Sequence, residues 1–483
     1  MYLGIDLGTS GVKVIMLAED GQITDSESYS LSISRPHTLW SEQDPEHWWL
    51  ALDRCMTALA KRQALSQVRA IGLSGQMHGA TLLDQNHQVI RPAILWNDGR
   101  AHPQCKQLED KVPDAREITG NLAMPGFTAP KLLWVKEHEP TNFSKISTVL
   151  LPKDYLQFRL TGELATDMSD AAGTLWLDVA KRRWSEKMLT ACGLQLSQMP
   201  RLLEGNQIAG YLHTSLAQRW DMSTVPVVAG AGDNAAGAIG AGLIHPGQAM
   251  ISLGTSGVYF AVSDGFLKNP KSALHSFCHA LPGTWHLMSV VLSAASCLSW
   301  YADNIVKLPV SALLEELEQY QANEKTPLFL PYLSGERTPH NNPQASGMFF
   351  ALTHQTQRVD LTYAVLEGVA FALAEGTEVL HTTGLVPKEI SLIGGGARSP
   401  FWRQLLANTL NRSLTFREGG DVGPALGAAR LAKLALHPKE DPATICPPPP
   451  VLAVHQPNAC MHSLLANRLV RFKALYQALR GHF

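Results

Sequence analysis

The segment Leu7-Gly8-Thr9-Ser10-Gly11-Val12 recurs as Leu253-Gly254-Thr255-Ser256-Gly257-Val258, near the middle of a chain of 483 residues. Each copy stands between apolar stretches of strand character: Leu3 to Asp6 and Val12 to Leu17 in the first, Ala249 to Ser252 and Val258 to Val262 in the second. Both are expected to be β-hairpins turning on Gly, Thr, Ser and Gly. A similar alternation of strands and helices follows each, so the hexapeptide marks a duplicated architecture.

In the first half, Asp44-Pro45-Glu46 opens a helix reaching Lys61, and Val68 to Leu73 and Val225 to Ala229 read as strands. In the second, a helix is expected over Leu361 to His381, a strand over Ile390 to Ile393 and a helix capped by Ser399-Pro400. A further helix begins at Pro424. Strands alternating with helices predict a mixed α/β sheet in each half. The turn signal Ile244-His245-Pro246-Gly247 places the boundary between residues 1–244 and 245–483. Cys446 to Pro450, with four prolines, reads as a stiff connector to a last helix presenting Leu465, Leu469, Phe472, Tyr476 and Leu479 on one face.

Composition agrees with two large domains, since 45% of the residues are hydrophobic, 17% are charged, and single cores stop growing near roughly 250 to 300 residues. Forty Lys and Arg against 42 Asp and Glu give a formal charge of −2 without a long basic stripe, which argues against nucleic acid as a partner. Neither a signal segment nor a membrane-length apolar run is visible, so a cytoplasmic protein without a membrane partner is expected. Seven cysteines, nowhere spaced as CxxC, argue against a disulfide framework or a zinc site.

A turn of small residues leaves its backbone N–H groups open to phosphate oxygens, and two such turns, one per half, suggest a pair gripping a polyphosphate between domains. Three consecutive glycines, Gly394-Gly395-Gly396, lie between a strand and a helix, where backbone can approach a flat ring; they suit an adenosine. Asp6 interrupts an apolar strand immediately before the first turn. A carboxylate there can hold Mg²⁺ directly or through water, because Mg²⁺ favours one or two carboxylates plus phosphate oxygens. Asp233 follows a buried strand and starts a helix, so it is a helix cap, a base facing the cleft, or both. Gly72 to Ala80 and Ile94 to Arg100 gather Gln76, His78, Trp96, Asn97 and Asp98, a polar and aromatic set able to line a polyol site.

Two longer segments carry a resemblance. Gly126-Phe127-Thr128-Ala129-Pro130-Lys131-Leu132-Leu133-Trp134-Val135-Lys136-Glu137-His138 and Gly347 to Glu367 match the paired signatures of the FGGY family of carbohydrate kinases, which the chain resembles over essentially its full length. One departure is Ala351, where the signature has glycine; its extra methyl is expected to shift that turn slightly without abolishing activity. The resemblance implies the fold class, α/β with two actin-like ATPase (ribonuclease H-like) domains and a catalytic cleft between them. It also implies ATP and Mg²⁺ as cofactors and a small-molecule ketose as substrate, D-xylulose first and L-ribulose as the alternative; a homodimer is compatible with it. By the same resemblance Asp233 is the general base with Asp6 beside the metal, and Gln76, Met77, His78, Trp96, Asp98, Asp233 and Asn234 meet the sugar. Gly8, Thr9, Ser10, Lys13, Gly254, Thr255, Gly395 and Gly396 meet the nucleotide. Met77 and His78 stand where glycerol kinases carry an Arg-Glu pair, which argues against glycerol. Lys153-Asp154-Tyr155, Ser169 to Gly173 and Phe329 to Arg337 add to the likeness. An actin-like nucleotide-gated binding protein is the rival reading, since the same fold supports both.

Overall fold

The computed structural model describes residues 1–418 and 423–483. Both hairpins form, Tyr2–Leu7 against Gly11–Leu17 and Gln248–Leu253 against Gly257–Ser263. Each is the centre of a seven-stranded sheet. The two sheets repeat one topology. The first runs Ile23–Ser30, Gly11–Leu17, Tyr2–Leu7, Ala70–Gly75, Pro226–Val228, Ile208–Tyr211, and the second runs Trp285–Val291, Gly257–Ser263, Gln248–Leu253, Glu389–Ile393, Leu414–Arg417, Val451–His455. In both, successive pairings are antiparallel, antiparallel, parallel, parallel and antiparallel. The duplication suggested by six letters therefore extends to the spatial order and directions of six strands in each sheet, although the last-named edge strand precedes its neighbour in the first half and follows it in the second.

Local signals fix the helices that flank them. Asp44 caps Pro45–Ala60 by accepting from the Glu46 amide, and Ser399 caps Pro400–Leu410 by accepting from Trp402. Arg358–His381 buries most of its length against the second sheet and the strand Leu328–Leu330. The strand Val451–His455 was not expected beyond Pro450; it pairs at the sheet edge, the place a proline-led strand tolerates. The last helix, Ala459–Leu479, docks on the second lobe through Leu465, Phe472 and Tyr476. Arg468 on that helix is fully buried, paired with Glu367 at 2.6 Å and bonded to the carbonyls of Asn323, Thr326 and Pro327.

The helix Gly423–Leu436 follows the second sheet's central strands in sequence yet lies on the first sheet, beside the helix Asp233–Gly240. The contact has no side-chain layer on one face: a β-carbon at Gly4 or Gly72 would overlap the carbonyl of Ala425 or Ala428. At the departure from the second signature, Ala351 is exposed with φ 67°, the left-handed region that costs a residue with a β-carbon roughly 1 to 2 kcal/mol. Glycine also loses more backbone entropy on folding. Ala351→Gly should therefore raise stability by about 0.5 to 1 kcal/mol with turnover unchanged. A melting temperature below that of the parent chain would contradict this account of the turn.

Six of the seven cysteines are buried and none is bonded to another. Among the described residues no helix is long and apolar enough to cross a membrane.

Candidate active site

Two cavities lie on either side of the second hairpin. The larger, about 990 Å³, is lined by Gly254, Thr255, Gly395 and Gly396 together with Leu298, Leu314, Pro400 and Phe401. The smaller, about 270 Å³, takes Ser256 and Val258 of the same hairpin and adds Met77, His78, Trp96, Asp233 and Asn234. Gly394 makes the first arrangement possible. Its φ is 97°, and a β-carbon there would come within 2.7 Å of the Leu253 backbone. Gly395 has open space where a side chain would stand, so its backbone is free to meet a ligand.

Both hairpins turn their carbonyls toward protein donors. Thr9 O and Ser10 O accept from Gln43 Nε2 and the Leu31 amide, while Gly254 O and Thr255 O accept from the amides of Ala295 and Ala294. Among the described residues, the turn amides of Thr9 and Ser10, and of Thr255 and Ser256, donate to no carbonyl. Donors exposed in this way form a cradle for anionic oxygens. Lys13 pairs in register with Asp6 across the first hairpin, and its charge is felt by that carboxylate.

Asp6 sits near the end of its strand beside Ser74, which holds its carboxyl down slightly, and among the described residues its buried Oδ1 makes no well-formed hydrogen bond. Burial pushes its carboxyl up to about 6. An orphaned carboxylate oxygen next to a phosphate cradle fits a hard cation such as Mg²⁺. Among the described residues no group of three His, Cys, Asp or Glu side chains gathers as a metal cage.

Asp233 does not cap its helix. Gly232 occupies the cap position, Asp233 is the first helical residue, and its Oδ1 accepts only from the backbone and side-chain amides of Asn234, at 2.7 and 2.9 Å. Burial, reinforced by the charge of Asp6, pushes its carboxyl up to about 7. Ser169 fixes the approach, donating nothing to the base itself but accepting from the Gly232 amide at 3.1 Å. A buried carboxyl poised near neutrality at a cavity wall has the character of a general base.

His78 adopts φ 70°, a strained conformation for an imidazole-bearing residue. The first signature holds it there, because the hydroxyl of Thr128 and the ammonium of Lys131 both donate to the His78 carbonyl, at 3.1 and 3.0 Å. Gly126 of that signature packs where a β-carbon would strike the Trp96 carbonyl. His78 Nδ1 lies 2.7 Å from Gly173 O; a carbonyl only accepts, so Nδ1 carries the proton and Nε2 keeps its lone pair. Burial pushes the imidazole down to about 3, so it is neutral. Nε2 thus keeps a lone pair able to accept a hydrogen bond at the cavity wall. His78→Asn, which tolerates positive φ but lacks that acceptor, should raise KM for the sugar about 10- to 100-fold while leaving KM for the nucleotide nearly unchanged. Equal effects on both substrates would make His78 structural.

Two expected sugar contacts fall elsewhere. Asp98 is fully buried in a salt bridge with Arg100, accepts the Ser41 and Arg100 amides, and lies outside the cavity wall. Gln76 is also buried, accepting from Thr9 Oγ1 and donating to Gln43 Oε1. It supports the first hairpin rather than facing the sugar cavity, and Trp96 Nε1 donates to the same Thr9 hydroxyl. Conversely, Met124, Phe127, His275, Phe277 and Arg337 line the cavity without having been expected there. Phe127 stood within the first signature and Arg337 at the end of the Phe329 to Arg337 segment, but nothing local in sequence marked His275 or Phe277.

Family models for the N-terminal and C-terminal domains of FGGY carbohydrate kinases match residues 1–240 and 249–436. The chain belongs to the FGGY family of carbohydrate kinases. This FGGY kinase is 59% identical over 479 residues to the xylulose kinase of Escherichia coli K12, covering 99% of both chains. It is 38% identical to that of Bacillus subtilis, covering 89% of this chain and 87% of the other. A crystal structure of xylulose kinase from Rhodospirillum rubrum superposes with a TM-score of 0.93 at 26% identity, covering 100% and 99%. The actin-like α/β fold, kinase activity and ATP use follow from the family.

Proposed function

We propose that this FGGY kinase moves the γ-phosphoryl group of ATP to the terminal C5 hydroxyl of D-xylulose. The observation that carries the reading is a buried carboxyl, Asp233, poised near neutrality on a small cavity that one hairpin separates from a nucleotide-sized one. Kinship to xylulose kinases of E. coli and B. subtilis supports the choice of sugar.

Phosphoryl transfer passes through a loose transition state, so alignment and charge neutralisation do most of the work. Asp233 takes the C5 hydroxyl proton as that oxygen attacks the γ-phosphorus and the bond to the β,γ-bridging oxygen breaks. Asn234 holds the carboxylate by two donors. The amides of Thr9, Ser10, Thr255 and Ser256 cradle phosphate oxygens, with Lys13 adding a cation. Asp6 would hold Mg²⁺, which supplies charge neutralisation to the phosphates when bound. The first lobe, residues 1–244, brings the base and most of the sugar wall; the second, 245–483, brings the nucleotide cavity.

A coupled ADP-release assay over D-xylulose, L-ribulose, D-ribulose and glycerol tests the reading, with D-xylulose expected to give kcat/KM at least tenfold above the others. Preference for L-ribulose would overturn the choice of sugar. The acid limb of kcat/KM should lie near pH 7, because Asp233 acts only after losing the proton it holds up to about that value. Since the charge of Asp6 raises that value, Asp6→Asn should move the limb to lower pH. A limb that stays in place would separate the two carboxylates electrostatically.

A further inference from the structure

The sugar cavity contains a cation that forms no ion pair among the described residues. Arg337 lines it, partly buried, and among the described residues its guanidinium makes neither an ion pair within 4 Å nor a hydrogen bond. The neighbouring carboxyl, Glu336, faces the other way: its Oε1 accepts from the backbone amides of Arg337 and Leu292. Burial pushes Glu336 up to about 8, so it is protonated at neutral pH and offers no counter-charge. The segment is rigid on its other side too, since the Thr338 hydroxyl donates to Ala273 O and accepts from the Val290 amide.

The surroundings of Arg337 say what it lacks. Its charge is felt by His78 and His275, whereas Asp233 feels that of Asp6. Arg337 thus acts on the two imidazoles of the cavity, and Asp6 on its base. Asn121 donates to the carbonyls of Thr119 and Ser276, which fixes its Oδ1 toward His275 Nδ1; that nitrogen is therefore protonated, and His275 Nε2 is a buried lone pair without a partner. Two neutral imidazoles that accept from hydroxyls flank one guanidinium that only donates.

We infer that Arg337 is a specificity residue of the second lobe, selecting acceptors that carry a carbonyl or carboxylate oxygen at the end remote from the phosphorylated hydroxyl. The inference rests on the proposed acceptor, whose C2 ketone is such an oxygen when C5 faces Asp233. A polyol offers only hydroxyls there, which the imidazoles satisfy equally well. Because the guanidinium comes from the second lobe and His78 from the first, an acceptor with that oxygen bridges the two lobes.

Wild-type, Arg337→Gln and Arg337→Lys proteins separate this role from a structural one. Binding of D-xylulose, D-xylonate and xylitol is measured by calorimetry, with kcat and KM for D-xylulose on the same preparations. In the wild type, D-xylulose and D-xylonate should bind at least tenfold more tightly than xylitol. Arg337→Gln should weaken both by 10- to 100-fold and xylitol by less than threefold, with the loss in D-xylulose turnover falling mainly on KM; Arg337→Lys should recover part of it. Parallel loss for all three ligands, or no loss for any, overturns the inference. Tight, Arg337-dependent D-xylonate binding without D-xylulose turnover would overturn the proposed acceptor while leaving Arg337 in this role.

Discussion

Asp233→Asn should bind ATP and D-xylulose with near-normal affinity and transfer phosphate about 10² to 10⁴ times more slowly. The amide keeps the shape and the contact with Asn234 but takes up no proton. Among the described residues lining the smaller cavity no other is a carboxylate, Asp98 is locked onto Arg100 and Asp6 stands at the first hairpin. The variant should also melt no lower than the parent above pH 7. The sign follows from linkage: a carboxyl held up to about 7 in the fold but near 3.8 when unfolded binds the extra proton only when folded, so its presence costs stability as pH rises through that window. Asparagine bears no such cost. Calorimetric binding, melting and turnover measured together decide the matter, and wild-type turnover would remove Asp233 as the base.

Arg468→Ala should destabilise the protein by about 3 to 5 kcal/mol, since it strands the Glu367 carboxylate in a buried site along with three carbonyls. Both side chains are fully buried, and this pair joins the last residue of the second signature to the C-terminal helix. Replacing both partners, as Glu367→Gln with Arg468→Met, should recover part of the loss because no isolated charge remains. Denaturant unfolding gives the values. A single variant within 1 kcal/mol of the parent would show that the helix is held by its apolar face alone.

The hairpins, Asp6, Asp233 and the triple glycine were legible because each is a local contradiction: a turn without bulk, an acid in an apolar strand, glycine where entropy argues against it. Asp98 and Gln76 stand outside the cavity wall for the complementary reason. A polar residue beside a motif has several directions to point, and the buried Arg100 and the first hairpin claimed these two. Arg337, His275 and Phe277 could not be placed, since they reach the sugar cavity across the cleft from strands and loops far along the chain. Nor did periodicity reveal that the helix starting at Pro424 would choose the first sheet over the second.

That choice has a consequence for the order of events on the ribosome. The face of the first sheet carrying Gly4 and Gly72 stays uncovered until residues 423–436 have left the exit tunnel, although its last strand is complete before residue 233. At about 5 to 20 residues per second, the intervening stretch takes about 10 to 40 s to synthesise. During that interval the nascent chain exposes an apolar surface including Tyr2, Ile15, Ala70 and Val228, which its own late helix will finally cover.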